Sequence, residues 1–495
     1  MNNAAPDPGT LLQRARQALA GNRRDVTLGA VRRLTAQSPD LGARWGDVAK
    51  MAADIGDMRT AIIAQRKLIA HAPGDLNHRF ALARMLGGYG RTDEGMKIAE
   101  AVLAQAPNVP GAKFRVAFLA SHLGMIERAA ELFREVVEAD PMNPDAWSHL
   151  QNLDRSGRQR EDIAAMQAVR PKLENAAPTQ RAALEFALGD AFHKLEERDD
   201  AFAHFDAGSK IMAAHDPYHA DAFDDYVDTI IDTFDADFYQ SRPGAGAPGD
   251  RPLFVLGMAR SGTTLLQRLL SAHSAVADGG ELSAMRIASY PLGRFQPERM
   301  EEFEKRFAGR ENGPWSVVGD VYQQLIGEQF GPDGKIVDKA INLPFMAGVI
   351  RAGLPQAPVV WIRRDPCDVA WSNFRIRLLN QQNWSWRLQD IAHRMAHFEK
   401  LREHFAGLFP DAILKVEYED LAREPDVWIP KILAHCGLQP EPVQDRFHKS
   451  DKAIATASLE SARQPISTKS IGRWKAYEKH LQPFIDAYQT YSSDN

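Results

Sequence analysis

"PLFVLGMARSGTTLLQRLLSAH" (Pro252–His273) decides how the second half of this 495-residue chain is read. "PLFVLG" is a short apolar run of the kind that forms a buried strand. "TLLQRLLSAH" places Leu265, Leu266, Leu269 and Leu270 on one helix face. Between them come Gly257, four residues, Gly262, Thr263 and Thr264. A strand, a glycine-bounded loop and a helix aim the N–H groups of Ser261–Thr264 above the helix N-terminus. Unpaired donors and the helix dipole favour an anion there. Ser261, Thr263 and Thr264 add hydroxyls, and Arg260 adds charge. A phosphate loop of the form G-x-x-x-x-G-K-[ST] has lysine where this chain has Thr263. That lysine bridges the β- and γ-phosphates of a triphosphate. Without it, the loop suits a nucleotide with a shorter 5′ tail. The blander reading of the same residues is a turn with no ligand.

Outward from this stretch, "KIVD" (335–338), "PVVWI" (358–362) and "ILKVEY" (413–418) are further short apolar runs separated by helical stretches. Strands alternating with helices predict a parallel sheet buried on both faces, with ligands at the carboxyl ends of the strands. In "WIRRDPCDVAWSNF" (361–374), Arg364 ends a strand, Asp365 caps the next helix, Pro366 starts it, and Ser372 follows. Upstream, "SRPGAGAPGDRP" (241–252) reads as a linker.

The first half is periodic. Pro39, Pro73, Pro107 and Pro141 are 34 residues apart, as are Gly56, Gly90 and Gly124. Amphipathic stretches of helix length lie between them, with Ala49, Ala83 and Ala117 on first helices and Ala61 and Ala129 on second helices. Helix, glycine turn, helix and proline at this period form the tetratricopeptide (TPR) pattern. The register slips after Gly157 and returns in "LGDAFHKLEERDDAFAHF", predicting about six units between residues 8 and 215. "DAFDDYVDTIIDTF" reads as a capping helix. The expected fold is therefore multidomain: an all-α TPR superhelix (8–237), a linker (238–251) and a P-loop-like α/β domain with a parallel sheet (252–490).

Composition narrows the function classes. A net charge of −5 creates no global field for nucleic acid. No window of 18 uninterrupted apolar residues predicts a transmembrane helix, and the N-terminus does not read as a secretory signal. Two cysteines, Cys367 and Cys436, make neither a disulfide framework nor a thiolate metal cage. These features suit a cytoplasmic protein.

With both stations on the page, the chain resembles sulfotransferases that use 3′-phosphoadenosine 5′-phosphosulfate (PAPS). "FVLGMARSGTTLLQRLLSAH" is similar to their 5′-phosphosulfate loop and "RDPCDVAWS" to their 3′-phosphate motif. "VEYEDL" (416–421) and "SIGRWKAYEKHL" (470–481) resemble later segments. With repeats in front, the whole is most similar to bacterial TPR-sulfotransferases, whose catalytic domain is related to tyrosylprotein sulfotransferases. The resemblance implies PAPS as cosubstrate and no metal. It assigns Arg260, Ser261, Gly262, Thr263 and Thr264 to the 5′-phosphosulfate, and Arg364 and Ser372 to the 3′-phosphate. Glu281 in "DGGEL" matches the catalytic base, and Lys339 in "IVDKAIN" matches a lysine that stabilises the leaving phosphate. Arg463, Ser470 and Trp474 fall in the segment that closes over the nucleotide. The family often reads D-K-x-P-x-N where this chain has "DKAINLP", so Asn342 stands one place early. Lys469 in "STKSIGRWK" lies where cytosolic sulfotransferases have R-K-G.

The implied acceptor is a tyrosine hydroxyl in a protein or peptide, presented by the TPR surface. A carbohydrate or small-molecule hydroxyl, a P-loop kinase-like activity and an inactive TPR scaffold are the alternatives. His393 and His397, four residues apart, have zinc-ligand spacing, but the sequence shows no third ligand. His273 reads as a core or supporting residue. Trp384 and Trp386 read as an acceptor-cleft lining or as packing anchors. Oligomeric state is not legible.

Overall fold

The computed structural model describes residues 7–108, 110–293, 297–378, 382–443 and 466–493. The first part is helical throughout. Six helix pairs follow one another: α1 (Pro8–Ala20) with α2 (Arg24–Gln37), α3 (Trp45–Asp54) with α4 (Met58–His71), and α5 (Leu76–Gly88) with α6 (Thr92–Gln105). Then come α7 (Pro110–His122) with α8 (Ile126–Ala139), α9 (Pro144–Leu153) with α10 (Gln159–Val169), and α11 (Pro178–Lys194) with α12 (Arg198–His215). The turn glycines Gly56, Gly90 and Gly124 all have positive φ, between 75° and 81°, which explains glycine at this repeat position. Ala49, Ala61, Ala83, Ala117 and Ala129 are buried, as close helix approach requires. Gly95 completes the second-helix series, since a Cβ there would stand 2.6 Å from Ala83 O. α13 (Ala220–Thr233) caps the array, and the short α14 (Ala236–Gln240) follows.

The expected linker is packed against the second part of the molecule. Ala247 is buried, its N–H donates to Gly353 O at 2.8 Å, and Gly246 N donates to Asn312 O at 3.0 Å. At Gly246 φ is +106°, and a Cβ would meet Pro355 at 2.5 Å, so glycine here serves close packing rather than flexibility.

Five parallel strands follow: β1 (Pro252–Leu256), β2 (Val276–Asp278), β3 (Lys335–Asp338), β4 (Val359–Arg363) and β5 (Ile413–Glu417). Their order is β2-β3-β1-β4-β5. β1 is buried at every position, because helices cover both faces. β2 lies outside the four strands expected from the sequence. It is three residues long at the sheet edge and has too little apolar pattern to be recognised. β1 pairs with β3 on one side and β4 on the other, so the loops leaving all three strands meet at one edge of the sheet. Among the described residues, no helix is long and apolar enough to cross a membrane.

Candidate active site

α15 (Thr263–Ser271) starts directly after the loop that leaves β1. Gly262 is its N-cap, with φ +105°. A Cβ at Gly262 would sit 2.6 Å from the Tyr418 ring, so both conformation and space demand glycine. The N–H groups of Gly262, Thr263 and Thr264 have no acceptor among the described residues. Ser261 departs from expectation. Its hydroxyl and its N–H both donate to Met258 O, at 2.7 and 3.1 Å, so it braces the loop from inside. The outward donors are therefore Gly262 to Thr264.

Leu256 of β1 faces Trp361 of β4, so Arg260 and the Arg364 station lie side by side. Arg260 has φ +71° and donates through Nε to Ser372 Oγ at 2.8 Å. Arg364 Nη1 donates to Arg260 O at 3.4 Å, and its Nη2 donates to Ser470 O. Asn373 Nδ2 reaches Ala259 O at 3.0 Å. The two segments read from the sequence as anion stations touch one another. Burial, helped by Arg375, Arg364 and Arg473, pulls the Arg260 pKa down to about 9. Crowding like charges in a buried place is costly unless an anion joins them. Arg364 Nε is buried with no hydrogen-bond partner among the described residues.

Glu281 and Lys339 meet through the sheet edge. Gly279 N donates to Val337 O at 3.0 Å and Lys339 N to Gly280 O at 2.9 Å, which extends the β2–β3 ladder into the loop. Asp278 Oδ1 accepts from Gln267 Nε2 at 2.6 Å and Gly280 N at 3.0 Å, tying that loop to α15. Lys339 is buried, and its Nζ lies 2.5 Å from Oε1 of the half-exposed Glu281. Below them Asp338 is fully buried. Burial pushes its pKa up to about 7, and Tyr322 Oη donates to it at 2.9 Å.

Several residues of the site were not singled out from the sequence. Buried Asp368 accepts from Gly472 N at 2.7 Å and Trp474 N at 3.1 Å, and lies 3.4 Å from Arg364. It sits in the quoted "RDPCDVAWS" motif, one turn after Arg364, which was the available clue. Ser470 and Trp474 thus enter the site through backbone atoms. Arg463 lies outside the described residues. Arg375 faces Asp190 of α11 at 3.8 Å, so the repeats reach the arginine cluster. Burial raises the Asp190 pKa to about 6. Arg377 contacts Asp145 of α9 at 2.5 Å and Thr179 O at 3.2 Å. Tyr477 stacks on Trp371 with centroids 3.7 Å apart and meets His193 Nδ1 of α11 at 2.6 Å.

The remaining candidates divide. Trp384 and Trp386 are buried, and Trp386 packs near Phe186 of α11, so both are anchors. His273 is buried, with Nε2 on Gln439 O at 2.9 Å and Nδ1 accepting from Ala275 N at 3.1 Å. His393 and His397 meet a partner the sequence did not show, Asp224 of α13.

Residues 252–442 match the model of the sulfotransferase family, and residues 86–153 match that of the tetratricopeptide repeat. A protein of Aquifex aeolicus (strain VF5), described only as uncharacterized, is 27% identical over 381 residues, covering 74% of this chain and 48% of its own length. The chain therefore spans about half the length of that curated relative. The solved sulfotransferase domain from the curacin biosynthetic pathway is 18% identical, covering 50% of this chain and 98% of that one, with a TM-score of 0.35. The sulfotransferase domain from the Synechococcus PCC 7002 olefin synthase is 19% identical, covering 51% and 97%, with a TM-score of 0.36. The chain thus carries a sulfotransferase-family domain behind tetratricopeptide repeats.

Proposed function

We propose that this protein transfers a sulfuryl group from PAPS to a hydroxyl, that of a tyrosine in a protein or peptide. The observation that carries the reading is the Arg260–Ser372 bond inside a cluster with Arg364, Arg375 and Arg473. Four guanidinium groups beside a helix N-terminus with open N–H groups suit a ligand bearing two separate anionic groups. The unpartnered Arg364 Nε is a donor ready for one of them.

In the reaction, the acceptor oxygen forms a bond to sulfur while the bond from sulfur to the 5′-phosphate oxygen breaks. Glu281 takes the acceptor proton. Lys339, Arg260 and the N–H groups of Gly262–Thr264 stabilise the negative charge gained by the departing phosphate. Lys339 is paired with Glu281. When Lys339 turns to the phosphate, the carboxylate is released to act as base. Fixed protein cations stand where a kinase uses magnesium. The choice of tyrosine rests on the family resemblance and on a repeat array suited to peptides.

The test has two arms. 3′,5′-ADP should raise the thermal midpoint without magnesium, whereas ATP with magnesium should not. Labelled PAPS incubated with the protein and a fractionated host lysate should then give sulfotyrosine on digestion. Label in sugar would replace the acceptor assignment. No nucleotide stabilisation and no transfer would overturn the reading.

A further inference from the structure

The donor set between α13 and the helix Leu388–Leu408 has no part in the transfer chemistry. His393 and His397 lie one turn apart on that helix. Asp224 comes from the capping helix of the repeats. Its Oδ1 stands 2.8 Å from His393 Nε2 and 2.5 Å from His397 Nε2. The three ligand atoms all fall within 4.8 Å of one another. Despite these short separations, Asp224 Oδ1 makes no hydrogen bond of good geometry among the described residues. His397 Nδ1 is likewise buried and unpartnered there.

We propose that Asp224, His393 and His397 bind a divalent metal ion, with zinc the cation this donor set fits best. Two imidazoles and a carboxylate are borderline donors of the type zinc takes. Tetrahedral bonds of about 2.0–2.1 Å set ligand atoms about 3.3 Å apart, so an ion needs the carboxylate to withdraw by roughly 0.5–0.8 Å. The Asp224 side chain is 41% exposed, which gives it room to move and the ion a way in. The two histidines are held more firmly. Tyr218 Oη lies 3.0 Å from His393 Nδ1, the second-sphere partner that sets tautomer and ring direction at metal sites. Phe223 and Tyr491 wall the rings, 5.4 Å from His397 and 5.0 Å from His393. The nearby cation Arg394 lies over the Phe223 face at 3.8 Å and makes no ion pair with Asp224. Three protein ligands leave one position for water. The ion would clasp the repeat array to the long helix of the transferase domain.

The test uses untagged full-length protein, stripped with chelator and titrated with Co²⁺, then Zn²⁺. The expected result is tetrahedral Co²⁺ absorption that saturates at one ion per chain and is displaced by Zn²⁺. Asp224→Asn and His397→Gln should each weaken binding by about 10- to 100-fold or more. Far-UV circular dichroism on the same samples separates ligand loss from unfolding. Asp224→Asn, isosteric and part-exposed, keeps the test readable if His397→Gln does not fold. No saturable Co²⁺ band in the parent protein, or equal affinity in a folded variant, would overturn the proposal.

Discussion

Arg260 donates its Nε hydrogen to the hydroxyl of Ser372 at 2.8 Å, across 112 residues of chain. This bond joins the loop after β1 to the helix after β4, and it brings two sequence motifs side by side. Replacing Arg260 with lysine keeps a charge but loses the planar fork. Affinity for 3′,5′-ADP should fall by about 10- to 100-fold, the equivalent of 1.5–3 kcal/mol for a hydrogen bond to a charged group. Ser372→Ala should cost less, about 5-fold. Isothermal titration checks both, and unchanged affinity in the pair would remove this bond from the site.

Glu281→Gln should lower turnover by about 10²- to 10⁴-fold while leaving nucleotide affinity close to the parent value. Lys339→Ala should lower turnover by about 10²- to 10³-fold. It also frees the carboxylate with which Lys339 is paired. Single-turnover transfer from labelled PAPS, measured beside nucleotide titration, separates chemistry from binding.

The pH dependence of stability should report Asp190. Its folded-state pKa is raised from 3.8 to about 6 by burial. Between those values the folded state holds the proton that the unfolded state has released, so stability falls as pH rises through that window. The cost is complete above it, up to about 3 kcal/mol. Asp190→Asn should therefore raise the thermal midpoint relative to the parent at pH 8 and lose that advantage below pH 4. The same variant should strengthen nucleotide binding at pH 8, because removing the carboxylate beside Arg375 leaves the arginine cluster more positive. A midpoint difference independent of pH would exclude this account.

Gly262→Ala should destabilise by about 1–3 kcal/mol, because it forces φ +105° on a residue with a Cβ. The new methyl would also press on Tyr418 at 2.6 Å. Calorimetry should show the lower midpoint, and 3′,5′-ADP should restore less of it than in the parent.

Asp368→Asn should loosen the segment around Gly472 and Trp474, whose N–H groups it now accepts. A charged acceptor contributes about 1.5–3 kcal/mol per bond, and the neutral amide less. Faster hydrogen exchange at those two amides, with exchange in β1 unchanged, is the expected signature.

Local patterns were legible in the chain itself. The 34-residue spacing of Pro39, Pro73, Pro107 and Pro141 determined the helical repeats, because each unit must turn and close at the same place. The strand–glycine loop–helix at Pro252–His273 determined where a helix N-terminus with open N–H groups follows a strand, since the apolar run, Gly262 and the leucine face are all local signals. Tertiary structure decided the rest. β2 was too short to show a pattern. Gly246 and Ala247 read as linker in composition but are packed, because burial depends on what lies opposite. Asp190 beside Arg375, and Asp224 between His393 and His397, join repeats to transferase domain through side chains distant in sequence. No local pattern encodes such pairs. They exist because the parallel order of the strands and the packing of the last repeats bring them to one place.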